Sequence, residues 1–166
     1  MPAAHAELAQ VFQEHHARVY KAAYRVTGNA SDAEDVLQSV FLRLVRRELD
    51  AGSVDHLESY LYRAAINAAL DLLRLRKQRP SVVLEDSAPA PDSAGSLEIQ
   101  TWLRQALARL SPRPAEMFVL RYIEGYDNRE IAEMLHTSQA VVAVTLHRTR
   151  GQLQKDYLAF QRGKHE

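Results

Sequence analysis

The sequence has no cysteine. That excludes disulfides and cysteine-ligated zinc, and it fits a cytoplasmic protein. Glycine and proline are scarce, six of each among 166 residues, and alternating strand-like patterns are nearly absent, so an all-α fold is expected. No run of about twenty apolar residues is present to span a bilayer, and the first residues lack the basic-then-apolar layout of a secretory signal. Neither membrane insertion nor export is therefore expected. Net charge is also lacking: 21 basic residues balance 21 acidic ones, without the basic excess usual in nucleic-acid binders. The charges are nevertheless segregated. Arg74, Arg76, Lys77 and Arg79 crowd just ahead of an acidic stretch holding Glu85, Asp86 and Asp92. Missing too are a phosphate-cradling glycine motif, a nucleophile elbow and any metal-ligand spacing. The adjacent His15 and His16 point about 100° apart on a helix, which does not suit one metal ion. No enzyme activity, catalytic residue, cofactor or metal is expected.

What is present is helical periodicity. A first helix over 6–27 places Leu8, Val11, Phe12, His15, Val19, Ala22, Ala23 and Val26 on one face, with Gly28 at its C-terminal cap. Ser31 and Glu34 have the spacing of a capping box for a second helix, whose inward residues are Ala33, Val36, Leu37, Val40, Phe41 and Leu44. Asp35, Gln38 and Leu42 share an outer face at three- and four-residue steps. After a loop at 48–56, a third helix over about 55–78 is apolar around most of its circumference. Its polar strip is Tyr60, Arg63, Asn67, Asp71 and Arg74, a mix of ring, guanidinium and amide suited to single-stranded nucleic acid and also to plain solvent exposure. Residues 80–96 are rich in Pro, Ala, Ser and acids and read as a flexible linker between domains 1–79 and 97–166. Its seventeen residues reach roughly 25 Å, at about 6 Å times the square root of length.

The second domain opens with a helix over 97–110 carrying Ile99, Trp102, Leu103, Ala106 and Leu110. Ser111 and Pro112 start the next helix as cap and first residue, Phe118, Val119, Tyr122 and Ile123 face its core side, and Gly125 ends it. Residues 127–151 then read as two helices broken by a tight turn. Asp127 and Glu130 form a capping box, Ile131, Ala132 and Leu135 face inward, and Ser138 caps the second helix. Val142, Leu146, Thr149 and Leu153 make that helix's inward stripe. This is the helix-turn-helix pattern of DNA readers, although an ordinary helical hairpin shares it. Its outer residues are Gln139, Ala140, Ala143, Val144, His147 and Arg148, with Arg150 close by.

The run Asp32-Ala33-Glu34-Asp35-Val36-Leu37-Gln38 with Phe41-Leu42-Arg43-Leu44, then Tyr60-Leu61-Tyr62-Arg63, Asn67 and Asp71-Leu72-Leu73-Arg74, resembles region two of bacterial sigma factors of the extracytoplasmic-function type. Leu110-Ser111-Pro112 through Phe118-Val119-Leu120-Arg121, Glu124-Gly125, Glu130-Ile131-Ala132 and Leu146-His147-Arg148-Thr149-Arg150 resembles region four. The resemblance implies a subunit that binds core RNA polymerase and directs it to promoter DNA, restrained by an anti-sigma factor. It implies core-polymerase contacts at Asp35, Gln38 and Leu42, and minus-ten contacts at Tyr60, Arg63, Asn67 and Arg74, with the loop at Asp50–Ser53 helping to pocket an extruded base. It further implies minus-thirty-five contacts at Ser138, Gln139, Ala143, Val144, His147, Arg148 and Arg150.

The chain departs from that pattern at Ala143, Val144 and Thr145, where relatives usually carry a basic residue, a small polar residue and arginine. Ala143 and Val144 can touch thymine methyls but cannot pair with guanine, so an unusual or weak minus-thirty-five preference is expected. His136 stands where glycine is commoner, at a turn position where a left-handed backbone is costlier for it. Two alternatives share the sequence features: a helix-turn-helix regulator that never meets polymerase, and a sigma-like decoy that binds an anti-sigma factor without opening promoters.

Overall fold

A computed structural model describes residues 2–46, 57–78 and 94–165. The loop at 48–56, with Asp50–Ser53, and residues 80–93 of the expected linker lie outside the described residues. Among the described residues the fold comprises seven α-helices: α1 (Pro2–Thr27), α2 (Ala30–Arg46), α3 (Leu57–Gln78), α4 (Ala94–Arg109), α5 (Pro112–Phe118), α6 (Asn128–Met134) and α7 (Gln139–Gly163). No strand occurs among the described residues. The chain divides into two compact units at Leu72 and Leu73, inside α3.

In the first unit a two-residue connection joins α1 to α2. Gly28 takes the left-handed conformation (φ 66°), and its N–H donates to the Tyr24 carbonyl at 2.7 Å, which ends α1 as an αL cap. Asn29 comes next, and its side-chain oxygen accepts from the Asp32 N–H at 3.0 Å. Asn29 is therefore the cap of α2, and the box expected at Ser31 and Glu34 is not used, because the helix already starts at Ala30. Val19, Ala22, Ala23 and Val26 of α1 and Ala33, Val36, Val40 and Leu44 of α2 are buried. Phe12, expected inside, is exposed. Its ring meets Phe41 edge-on at 4.9 Å and stacks on His16 at 4.9 Å, a lid on the core's rim. Arg18 of α1 pairs with Glu58 of α3 and lies 5.2 Å over the Tyr62 ring, a surface link between these two helices.

In the second unit α4 begins at Ala94, three residues inside the stretch expected to be linker. Trp102, Ala106 and Leu107 are buried, whereas Ile99, expected inward, is exposed. Trp102 packs edge-on against Tyr157 at 5.0 Å and beside Phe160 at 6.3 Å, seating α4 on the C-terminal half of α7. Glu98 and Lys164 pair at the same end. Ser111 occupies the cap position of α5 with no hydrogen bond from its side chain, and Pro112 succeeds it.

The end of α5 winds into a π-helical turn over Val119–Ile123, closed by the Glu124 N–H on the Val119 carbonyl at 2.9 Å. A π turn takes one residue more than an α turn and rotates the downstream side chains out of register. Val119 is buried as expected and Leu120 is buried beside it, whereas Tyr122, expected in the core, is 45% exposed.

Candidate functional site

The helix-turn-helix is built by three local devices. Asp127 caps α6 by accepting the Glu130 N–H at 2.8 Å. That N–H, acting on the charged form, holds the Asp127 carboxyl below its usual value. Glu130 is pushed up, first by burial and then by the neighbouring Asp127 charge. The turn itself is a Schellman motif. His136 is left-handed (φ 53°), its N–H meets the Glu133 carbonyl at 3.4 Å, and the Thr137 N–H meets the Ala132 carbonyl at 2.9 Å. Arg113 of α5 donates to the Leu135 carbonyl at 3.1 Å, which ties the turn to the body of the unit. Ser138 then caps α7, accepting the Val141 N–H at 3.2 Å.

Beneath the turn, Ile131 and Ala132 of α6 and Leu135 at its C-terminal cap are buried, as are Val142, Leu146, Thr149 and Leu153 of α7. The Thr149 hydroxyl donates to the Thr145 carbonyl at 2.7 Å, so its burial leaves no orphan donor. With each buried Leu, Ile or Val contributing about 1.5–3 kcal/mol, this stripe fixes which face of α7 turns outward. That face carries Gln139, Ala140, Ala143, Val144, His147 and Arg148, all exposed. Val141 joins them at 47% exposed, beside Val144 at 50%. Arg150 is exposed too, and its guanidinium lies 5.8 Å over the Tyr122 ring. Arg121 lies 5.7 Å from the same ring. The π turn that carries Tyr122 outward thus creates an aromatic perch for two arginines, a feature that 3.6-residue periodicity could not reveal.

In the first unit, Asp35, Gln38 and Leu42 are brought together as an exposed ridge along α2. Leu42 is 52% exposed, and Val45, one turn further on, extends the ridge. On α3 the polar strip is more covered than its composition predicts: Tyr60, Arg63, Asn67 and Arg74 are each half-buried, and Asp71 is exposed.

These two surfaces, an exposed ridge on one helical unit and the outer face of a capped second helix on the other, define a helix-turn-helix protein of two parts. Residues 11–79 match Sigma-70 region 2 and residues 100–153 match Sigma-70, region 4. The chain is similar to the ECF RNA polymerase sigma factor SigM of Mycobacterium tuberculosis, at 31% identity over 147 residues covering 87% of this chain and 74% of SigM. It is also similar to SigW of Bacillus subtilis, at 27% identity over 92% of this chain and 88% of SigW. Among solved structures, CnrH in complex with the cytosolic domain of CnrY aligns with a TM-score of 0.56 and 21% identity over 92% of this chain and 88% of that one. RpoE in complex with the anti-sigma factor NepR, from Bartonella quintana, aligns with a TM-score of 0.51 at 21% identity, covering 91% and 96%. The chain belongs to the extracytoplasmic-function sigma factors. Among the described residues, no helix is long and apolar enough to cross a membrane.

Proposed function

We propose that the protein works as an alternative sigma factor that binds core RNA polymerase and directs promoter recognition and transcription initiation. The observation that carries this reading is the presence of both sigma regions, in order, in one chain. The α2 ridge of Asp35, Gln38 and Leu42 is assigned to core polymerase, since an exposed carboxylate, amide and leucine at helical spacing offer one continuous strip to a partner helix. Tyr60, Arg63, Asn67 and Arg74 are assigned to the opened minus-ten strand. Their partial burial fixes their position and limits the entropy lost on binding. The outer face of α7, from Ser138 through Arg150, is assigned to the minus-thirty-five element.

Domains 1–79 and 97–166, joined by the intervening stretch, then hold two modest DNA contacts at high effective concentration, so that each can be weak while the pair selects a promoter. The protein acts in the cytoplasm and has no catalytic chemistry of its own. An anti-sigma factor restrains it, in keeping with its similarity to RpoE, which is held by the anti-sigma factor NepR. The test is transcription in vitro with purified core polymerase over a library of genomic fragments. Discrete, promoter-dependent transcripts that require the added protein are expected; their absence with folded protein in excess overturns the reading.

A further inference from the structure

The first three turns of α7 have an unusual chemistry. From Gln139 to Arg150 there is no acidic residue. The leading outer surface is apolar, with Ala140, Val141, Ala143 and Val144 all exposed, and the charge comes behind it, at Arg148 and at Arg150 over the Tyr122 ring. The buried stripe and the Ser138 cap hold this surface outward, so it is not a fraying accident. Phosphates account for the trailing cations, and the groove floor must then account for the apolar tip. The apolar group displayed in the major groove is the thymine C5-methyl.

Resting on the minus-thirty-five assignment above, we propose that Val144, with Ala140, Val141 and Ala143, forms a thymine-methyl reader covering about two adjacent A·T pairs, and that no guanine is read at those positions. The extent comes from the helical rise: Ala140 to Val144 spans about 6 Å along the helix at 1.5 Å per residue, close to two steps of about 3.4 Å along a DNA strand. Arg148 lies one turn beyond Val144, which leaves it at the edge of the footprint for a backbone contact that positions without specifying. A protein partner fits less well, because the segment Gln139–Arg150 carries no acid and two arginines directly behind its apolar tip, which matches a polyanion.

The experiment uses holoenzyme reconstituted from core polymerase and the full chain. Bound promoters are selected from a randomised library, and thymines in the upstream element are then replaced singly by deoxyuridine, which removes the methyl and leaves the hydrogen-bonding edge intact. Selection of adjacent thymines, with about a fourfold loss of affinity per methyl removed, is the expected result, taking the value of one buried carbon. Val144→Ala is expected to shrink that penalty while leaving holoenzyme assembly intact. Uracil that binds as well as thymine, or guanine selected at these positions, overturns the proposal while transcription itself still upholds the sigma reading. An upstream element with no base preference, unchanged by Val144→Lys, assigns the patch to a protein contact and overturns the proposal equally. Holoenzyme that fails to assemble overturns the sigma reading, and this inference with it.

Discussion

Replacing His136 by glycine should stabilise the helix-turn-helix. His136 sits at the left-handed position of the turn, with φ 53°. For a residue with a Cβ that conformation costs roughly 1–2 kcal/mol, because the Cβ crowds the carbonyl oxygen. Glycine escapes the clash but loses more freedom on folding, an offset of about 0.5–1 kcal/mol. The net gain is therefore about 0–1.5 kcal/mol, centred near ~0.75 kcal/mol. The hydrogen bonds of the turn run through the backbone of residues 132, 133, 136 and 137, so glycine leaves them in place. In a domain of this size such a gain raises Tm by about 2–8 °C, read by circular dichroism of the full chain during heating. His136→Ala is the control, since alanine keeps the Cβ and should show no comparable gain. If alanine stabilises as much as glycine, the cost lies in the imidazole and the backbone argument is wrong. If glycine destabilises, the Schellman turn does not carry strain at all.

Leu146→Ala should cost about 2–5 kcal/mol, since this leucine is buried on the inward stripe of α7; urea unfolding measures it, and a loss below about 1 kcal/mol would mean that the stripe does not hold α7 in place. Asp127→Asn keeps a capping side chain but removes its charge. The Asp127 pKa is lowered from 3.8 by the Glu130 N–H, so its stabilising contribution is present above that value and disappears as pH falls through the folded one. The raised Glu130 works the other way, its contribution being present below 4.5 and lost as pH rises through its folded value. The advantage of wild type over Asp127→Asn should therefore open as pH rises through 3.8, and the two should converge as pH falls below it. A gap that is constant across that range contradicts the charged cap.

The helix-turn-helix is the most legible part of the chain. Val142, Leu146, Thr149 and Leu153 recur at helical spacing and are all buried, because one periodicity runs uninterrupted through α7. Asp127 and Ser138 cap as their positions suggest, since a short polar side chain before an apolar run has one energetically obvious use. Elsewhere competing signals coexist. Asn29 with Asp32 and Ser31 with Glu34 both fit a helix start, and only the left-handed Gly28 ahead of them favours the earlier one. The π turn at Val119–Ile123 is invisible in the sequence, because an extra residue in a turn comes from local packing and leaves no mark on composition. It moves Tyr122 from the expected core to the surface beneath Arg121 and Arg150. Ile99 and Phe12 also depart from expectation: both lie on apolar stripes and are nevertheless exposed.

The most direct test of the account is binding of the purified full chain to core RNA polymerase, comparing wild type with Asp35→Arg and Gln38→Ala. The α2 ridge is exposed, so both variants should fold as wild type does. Wild type should co-elute with core enzyme, and Asp35→Arg should lose at least tenfold in affinity, about 1.4 kcal/mol. Wild-type protein that stays unbound, or an Asp35→Arg variant that binds unchanged, would contradict the polymerase-facing role of that ridge.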